Sequence, residues 1–127
     1  MTKQVVFSEE ANPPLPFYSQ AIISGKTIYV SGSIGIDRNS KLVEGGVQAQ
    51  TRAAIENMTK VLQGAGVTRD AVLKCNIFLA NLPRDFAPMN EVYLEYFPKN
   101  PPARTCIGVA SLPLGADMEI ECIAELP

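Results

Sequence analysis

The chain contains no histidine and no tryptophan. The first absence is the more restrictive, because Ser-His-Asp and Cys-His catalysis, H-E-x-x-H zinc sites and imidazole proton switches all need that ring. Chemistry here falls to carboxylates, Arg, Lys, Tyr, Cys, backbone groups and water. Cysteine is scarce too. Cys75, Cys106 and Cys122 are an odd set without a C-x-x-C pair, which argues against a disulfide framework and for a reducing compartment. No apolar run nears the roughly 18 residues of a membrane span, so no membrane partner is expected. The opening MTKQVVFSEE has neither the apolar core of a secretory signal nor the Arg-rich make-up of a transit peptide. The cytoplasm is therefore the expected address, with the mitochondrion as the alternative. A net charge of −2, from 11 Lys and Arg against 13 Asp and Glu, offers no footprint for phosphates, so nucleic acid is not an expected partner.

What is present reads as one globular domain, residues 1–127, with 46% hydrophobic residues and no linker, repeat or low-complexity tract. The prolines of ANPPLP (11–16) predict a stiff extended lead-in. Tyr18 to Ile36 is rich in Ile and Val and predicts strands, with Gly25-Lys26 as a hairpin turn. Val47, Ala54, Met58, Val61, Leu62 and Ala65 recur at helical spacing, and Gly64 and Gly66 follow as stop signals. Residues 71–80 form an apolar run suited to a buried strand. Phe86, Met89, Tyr93, Tyr96 and Phe97 share a second helical face, which Pro98 and the Asn100-Pro101-Pro102 cluster end. ARTCIGV and ADMEIECIA both alternate, and the simple expectation is an antiparallel pair joined by ASLPLGA. This order predicts an α+β fold in which two helices cover one face of a mixed sheet.

In that arrangement the helices would cover Thr105, Ile107 and Val109 with Met118, Ile120 and Cys122. The opposite face would present Arg104, Cys106, Glu119 and Glu121 together, either as a solvated surface, as the seam of an oligomer, or as a site. Arg104 is a solvent-facing or salt-bridging cation on one reading and a planar fork for a carboxylate on the other. A neighbouring cation would favour the thiolate of Cys106, which otherwise reads as a small half-buried residue; Cys75 and Cys122 lie in core patterns. Glu119 and Glu121 suit general acid–base work or plain solvation. Ser31-Gly32-Ser33 has no accompanying base and reads as a turn or strand end. Tyr18 reads as packing. Gly64-Ala65-Gly66 does not extend to a nucleotide-binding motif.

YSQAIISGKTIYVSGSIGID (18–37), DFAPMNEVYLEYF (85–97) and PPARTCIGVASLPLGADMEIECIA (101–124) resemble the Rid family, the reactive intermediate deaminases of the RidA subgroup, formerly called YjgF. The resemblance runs from about Val5 to Ala124, and the P-A-R-[ST]-C string followed by E-I-E is its specific mark. It implies a chorismate-mutase-like fold and a homotrimer with clefts between subunits. It also implies hydrolysis of 2-imino acids, or their enamine tautomers from serine and threonine dehydratases, to 2-keto acids and ammonia, without metal or organic cofactor. By the same resemblance Arg104 binds the substrate carboxylate and Glu119 serves the attacking water. Cys106, Tyr18, Ser31, Gly32, Phe86 and Asn90 would complete the pocket. Two positions depart from many relatives: Pro16-Phe17 precedes the tyrosine in place of Gly-Pro, and Ser33 stands where Gln is common. A non-catalytic sensor of keto or amino acids and an endoribonuclease are the rival readings, and the shared fold adds a chorismate-mutase-like reaction.

Overall fold

A computed structural model of the chain describes residues 2–127. Six strands, β1 (Gln4–Val6), β2 (Ala21–Ser24), β3 (Thr27–Ile34), β4 (Val72–Leu79), β5 (Ala103–Gly108) and β6 (Met118–Glu125), form one sheet in the order β1-β2-β3-β6-β4-β5. Two helices, α1 (Gly46–Gly64) and α2 (Leu82–Tyr96), complete the α+β layers. The sheet is mixed: every pairing is antiparallel except that of β4 with β5. Among the described residues, no helix is long and apolar enough to cross a membrane.

Both helices form where the apolar spacing predicts them. Val47, Ala54, Met58, Val61 and Leu62 are buried on α1. Its end is a Schellman motif: the Val67 N–H donates to the Leu62 carbonyl (3.0 Å) and the Gly66 N–H to that of Gln63 (2.9 Å). Gly66 occupies the left-handed position, φ 90°, that this motif reserves for glycine. Asn81 caps α2 by accepting the Arg84 N–H at 3.2 Å. Met89, Tyr93 and Phe97 turn inward. They meet the inward residues of the sheet, Ile28, Val30, Ile77, Leu79, Met118, Ile120 and Cys122, in one core. Truncating a fully buried member such as Ile120 to alanine costs about 2–5 kcal/mol of stability.

The last two strands depart from expectation. β5 and β6 are not neighbours; β4 lies between them, antiparallel to β6 and parallel to β5. The reason is the connection through α2, since a parallel pair needs a crossover of this length. Register then reverses the expected faces of β5. Arg104 is level with Cys75 and Cys122, and Cys106 with Ile77 and Ile120, all on the helix-covered side. Thr105 and Ile107 point to the open face instead and are exposed. They share that face with Glu119, Glu121, Asn76, Phe78, Tyr29 and Val5.

Candidate active site

The predicted site residues fall into two groups on opposite faces of the sheet. By strand spacing and rise, the Cα atoms of Arg104 and Glu119 lie roughly 14 Å apart. The expected meeting of Arg104 and Cys106 with Glu119 and Glu121 on one face of a single chain therefore does not occur.

The acidic group forms where β3 outruns β2. Val30 pairs with Cys122 and Ser33 with Ile120, so Ser31 and Gly32 together oppose one residue of β6, as in a β-bulge. The Glu119 carboxylate lies directly over Gly32. A Cβ at that position would overlap Glu119 Oε2 and come within 2.8 Å of its Cδ. Only glycine leaves room for the acid there. The Ser31 hydroxyl donates to the Ser19 carbonyl (2.6 Å), and its N–H to that of Gln20 (3.0 Å). These bonds fix the backbone that carries Tyr18. Buried Gln20 in turn accepts from the Ser8 N–H (2.7 Å) and donates to the carbonyls of Ser8 (3.2 Å) and Asn12 (2.8 Å). The N-terminal segment is thereby held as a wall.

Between that wall, the end of β3 and α1 lies a cavity of about 660 Å³. Tyr18, Ser31, Gly32, Ser33, Leu114 and Glu119 are among its lining residues, and no Lys or Arg is. Glu119 is half-buried. Burial raises its pKa above the ordinary carboxylate value, and the Glu121 carboxylate adds to the effect. Glu121 itself accepts a hydrogen bond from Asn76 Nδ2 at 3.1 Å.

The cationic group occupies the β5 edge beneath α2. The Arg104 guanidinium lies 4.8 Å from the Tyr93 ring centre and 5.9 Å from that of Phe86, in cation–π range. Its Nη1 donates to Asn90 Oδ1 at 2.7 Å. Among the described residues, no carboxylate forms an ion pair with it. One N–H edge is thus oriented, while the charge stays unneutralised. Cys106 is half-buried beside it. Burial raises the thiol pKa and outweighs the opposing effect of Arg104, which favours the reading of Cys106 as a small half-buried residue. Deeper under the same helix, burial pushes the Cys75 thiol up to about 11. The Tyr93 hydroxyl is buried with no partner of hydrogen-bonding geometry.

Phe86, Asn90, Arg104 and Cys106 therefore come together, as do Tyr18, Ser31, Gly32 and Glu119. Tyr93 was legible only as a core residue of the helical stripe; its ring is also the seat of Arg104. Leu114, in a 3-10 turn with φ 58°, gave no sequence signal for its place in the cavity lining.

The sequence profile of the family described as Endoribonuclease L-PSP matches residues 9–126. The human protein named 2-iminobutanoate/2-iminopropanoate deaminase is 40% identical over 125 residues, which cover 98% of this chain and 90% of the human one. Reactive Intermediate Deaminase A, chloroplastic, from Arabidopsis thaliana is 43% identical over 125 residues, 98% of this chain and 66% of the plant protein. The crystal structure of RidA from the Antarctic bacterium Psychrobacter sp. PAMC 21119 superposes with a TM-score of 0.91 at 36% identity, covering 97% of this chain and 99% of that one. With a profile match over nearly its whole length and relatives of this similarity, the chain belongs to the Rid family, whose profile bears the Endoribonuclease L-PSP name.

Proposed function

We propose that the protein is a deaminase that hydrolyses 2-imino acids, 2-iminobutanoate and 2-iminopropanoate among them, to 2-keto acids and ammonia. It does so in clefts shared by the subunits of a homotrimer. One observation carries the reading. The cavity holds an acid and no cation, while the opposite margin of the same chain holds an oriented arginine and no acid. A small carboxylate substrate needs both, and a second copy of the chain supplies the missing half. The open sheet face supports assembly: Val5, Tyr29, Leu73 and Ile107 leave apolar surface there that a sister subunit would bury.

In such a cleft Arg104 of one subunit holds the substrate carboxylate by paired, charge-assisted hydrogen bonds, and Asn90 and Tyr93 keep its fork in plane. Glu119 of the other subunit positions a water and accepts its proton as the oxygen bonds to C2. The C=N electron pair moves to nitrogen. Glu119 returns its proton to the nitrogen and then takes the proton of the C2 hydroxyl as the C–N bond breaks, so ammonia leaves and the C2 oxygen becomes the keto group. Its raised pKa makes Glu119 a stronger proton acceptor than an ordinary carboxylate. Tyr18 and Phe86 close the site. Gly32 makes room for the acid, Ser31 anchors the adjoining backbone, and backbone groups beside Cys106 orient the nitrogen. An iminium carbon is already electrophilic, so positioning and one proton acceptor suffice. Cleavage of RNA fits less well, because a phosphodiester would meet the Glu119 carboxylate in a cavity without a cation.

The test is a coupled assay in which threonine dehydratase generates the enamine and keto-acid formation is followed with and without the protein. The wild type accelerates it, and Arg104→Ala abolishes the acceleration while sedimenting as a trimer. Full activity in that variant contradicts the assignment.

A further inference from the structure

A second cavity, of about 340 Å³, lies where α2 ends and shares no lining residue with the one beside Glu119. Its volume falls in the lower part of the range for small-molecule sites. Arg69, Lys99 and Asp70 are its charged lining residues, and Val72, Pro98 and Pro102 supply apolar wall.

Arg69 is held there much as Arg104 is held at the β5 margin. Its guanidinium lies 4.9 Å from the ring centre of Tyr96, which follows Tyr93 by one turn of α2. Its Nη1 donates to Thr59 Oγ1 at 2.9 Å, and the buried Thr59 hydroxyl spends its own proton on the Ile55 carbonyl at 2.7 Å. Thr59 is thus a fixed, neutral acceptor. Glu56 reaches the same tyrosine, but there it accepts from the Tyr96 hydroxyl at 3.1 Å. Among the described residues, neither Arg69 nor Lys99 forms an ion pair. An aromatic face and one hydroxyl orient the fork while its charge and its other N–H donors stay unspent.

Two cations against one acid make the lining net positive. A guanidinium fork and an ammonium point charge in one cavity suit a dianionic oxyanion better than a single carboxylate. The apolar wall suits an organic group attached to that anion. We propose that this cavity is a second binding site, for a small phosphate monoester held by Arg69 and Lys99 with its organic part against Val72 and the prolines. The site stands apart from the deaminase reading and does not depend on it. The competing role for the two cations is structural: the last turn of α2 holds no basic residue, and they would complement its carbonyl end. In that role they bind no added anion.

The experiment is an amide NMR titration of the assembled protein with phenyl phosphate at about pH 8, where the ester carries close to two charges. Benzoate and inorganic phosphate are titrated in parallel. Phenyl phosphate should bind at millimolar concentration or below, more tightly than either, and shift the amides of residues 69–72 and 96–100. Arg69→Ala should weaken it about tenfold, as loss of a charge-assisted hydrogen bond does, and leave imine hydrolysis unchanged. Lys99→Ala and Asp70→Asn, both at exposed positions, should move affinity about twofold to threefold in opposite directions, weaker and tighter. They decide the matter should Arg69→Ala fail to fold. Arg104→Ala should bind phenyl phosphate as the wild type does. Absence of binding, binding that these substitutions do not change, or binding lost in Arg104→Ala overturns the site and leaves the deaminase reading standing. Benzoate binding as tight as phenyl phosphate overturns the phosphate assignment.

Discussion

At the β5 margin of the sheet, Arg104 rests on the Tyr93 ring with Asn90 fixing one edge of its guanidinium; at the β3–β6 bulge, Glu119 lies over Gly32 with another acid as its nearest charge. Each margin holds a charge that its own chain leaves unneutralised. The cation is seated by aromatic faces and one amide, which orient it without cancelling it. The acid is half-buried beside a like charge, which raises the cost of its ionised form. A conventional pairing looks different: Arg84 binds Asp85 through two hydrogen bonds of 2.8 Å and also meets Asp117 at 3.2 Å. A half-buried cation and a half-buried acid without ion partners of their own are groups that a small carboxylate substrate and a water could use.

If the margins divide the work, damage to each should leave a different kinetic signature. Among the residues that position Arg104 and Glu119, the largest effect is expected at Gly32. Gly32→Ala puts a methyl where the Glu119 carboxylate lies, and a displacement of about 1 Å at a reacting group can cost on the order of 100-fold. The loss should fall on kcat, with keto-acid affinity in calorimetry nearly retained, because the arginine margin is untouched. A variant that kept full kcat would show that the acid needs no such placement. At the other margin, Asn90→Ala removes the bond that orients Arg104. The expected result is a rise in KM of roughly tenfold with kcat largely kept, the cost of one charge-assisted hydrogen bond. A fall in kcat alone would blur the division.

The smallest effect concerns pH. In the proposed mechanism Glu119 acts as a base when ionised, and burial and then Glu121 hold its pKa above the ordinary carboxylate value. Activity should therefore fall as pH drops through that raised pKa. Glu121→Gln removes one of the two causes while keeping an acceptor for Asn76. The pKa of Glu119 should fall, and the acid limb of the kcat/KM profile should move to lower pH. An unmoved limb would mean that the neighbouring charge is not felt at the site.

Much of this architecture was legible in the chain, and the exceptions share a cause. Val47 to Leu62 announced α1 by spacing, Gly66 its end, and residues 71–80 a buried strand, because these signals are local. Which strands lie side by side is not local. The succession of β4, α2 and β5 did carry a cue to parallel pairing, since a helical crossover joins parallel strands. The alternation in ARTCIGV separated two faces without telling which was inward, as Arg104 and Cys106 are no more polar a set than Thr105 and Ile107 are an apolar one. Pairing β5 with β6 then turned β5 over and drew Arg104 to the side of Glu119. The three-residue β1 was missed because so short a strand carries no period. The seat of Arg104 on Tyr93 is a contact between elements, and neither residue announces it alone.

The central claim is that Arg104 and Glu119 act together from different copies of the chain. Mixing Arg104→Ala with Glu119→Gln, each inactive alone, tests it most directly. After joint unfolding and reassembly from equal amounts, some interfaces will pair an intact Arg104 with an intact Glu119. Imine hydrolysis should return to about a quarter of the wild-type rate in a cyclic trimer assembled at random. A mixture that reassembles into trimers and stays inactive would place both residues in a site within one chain, and the shared cleft would fall.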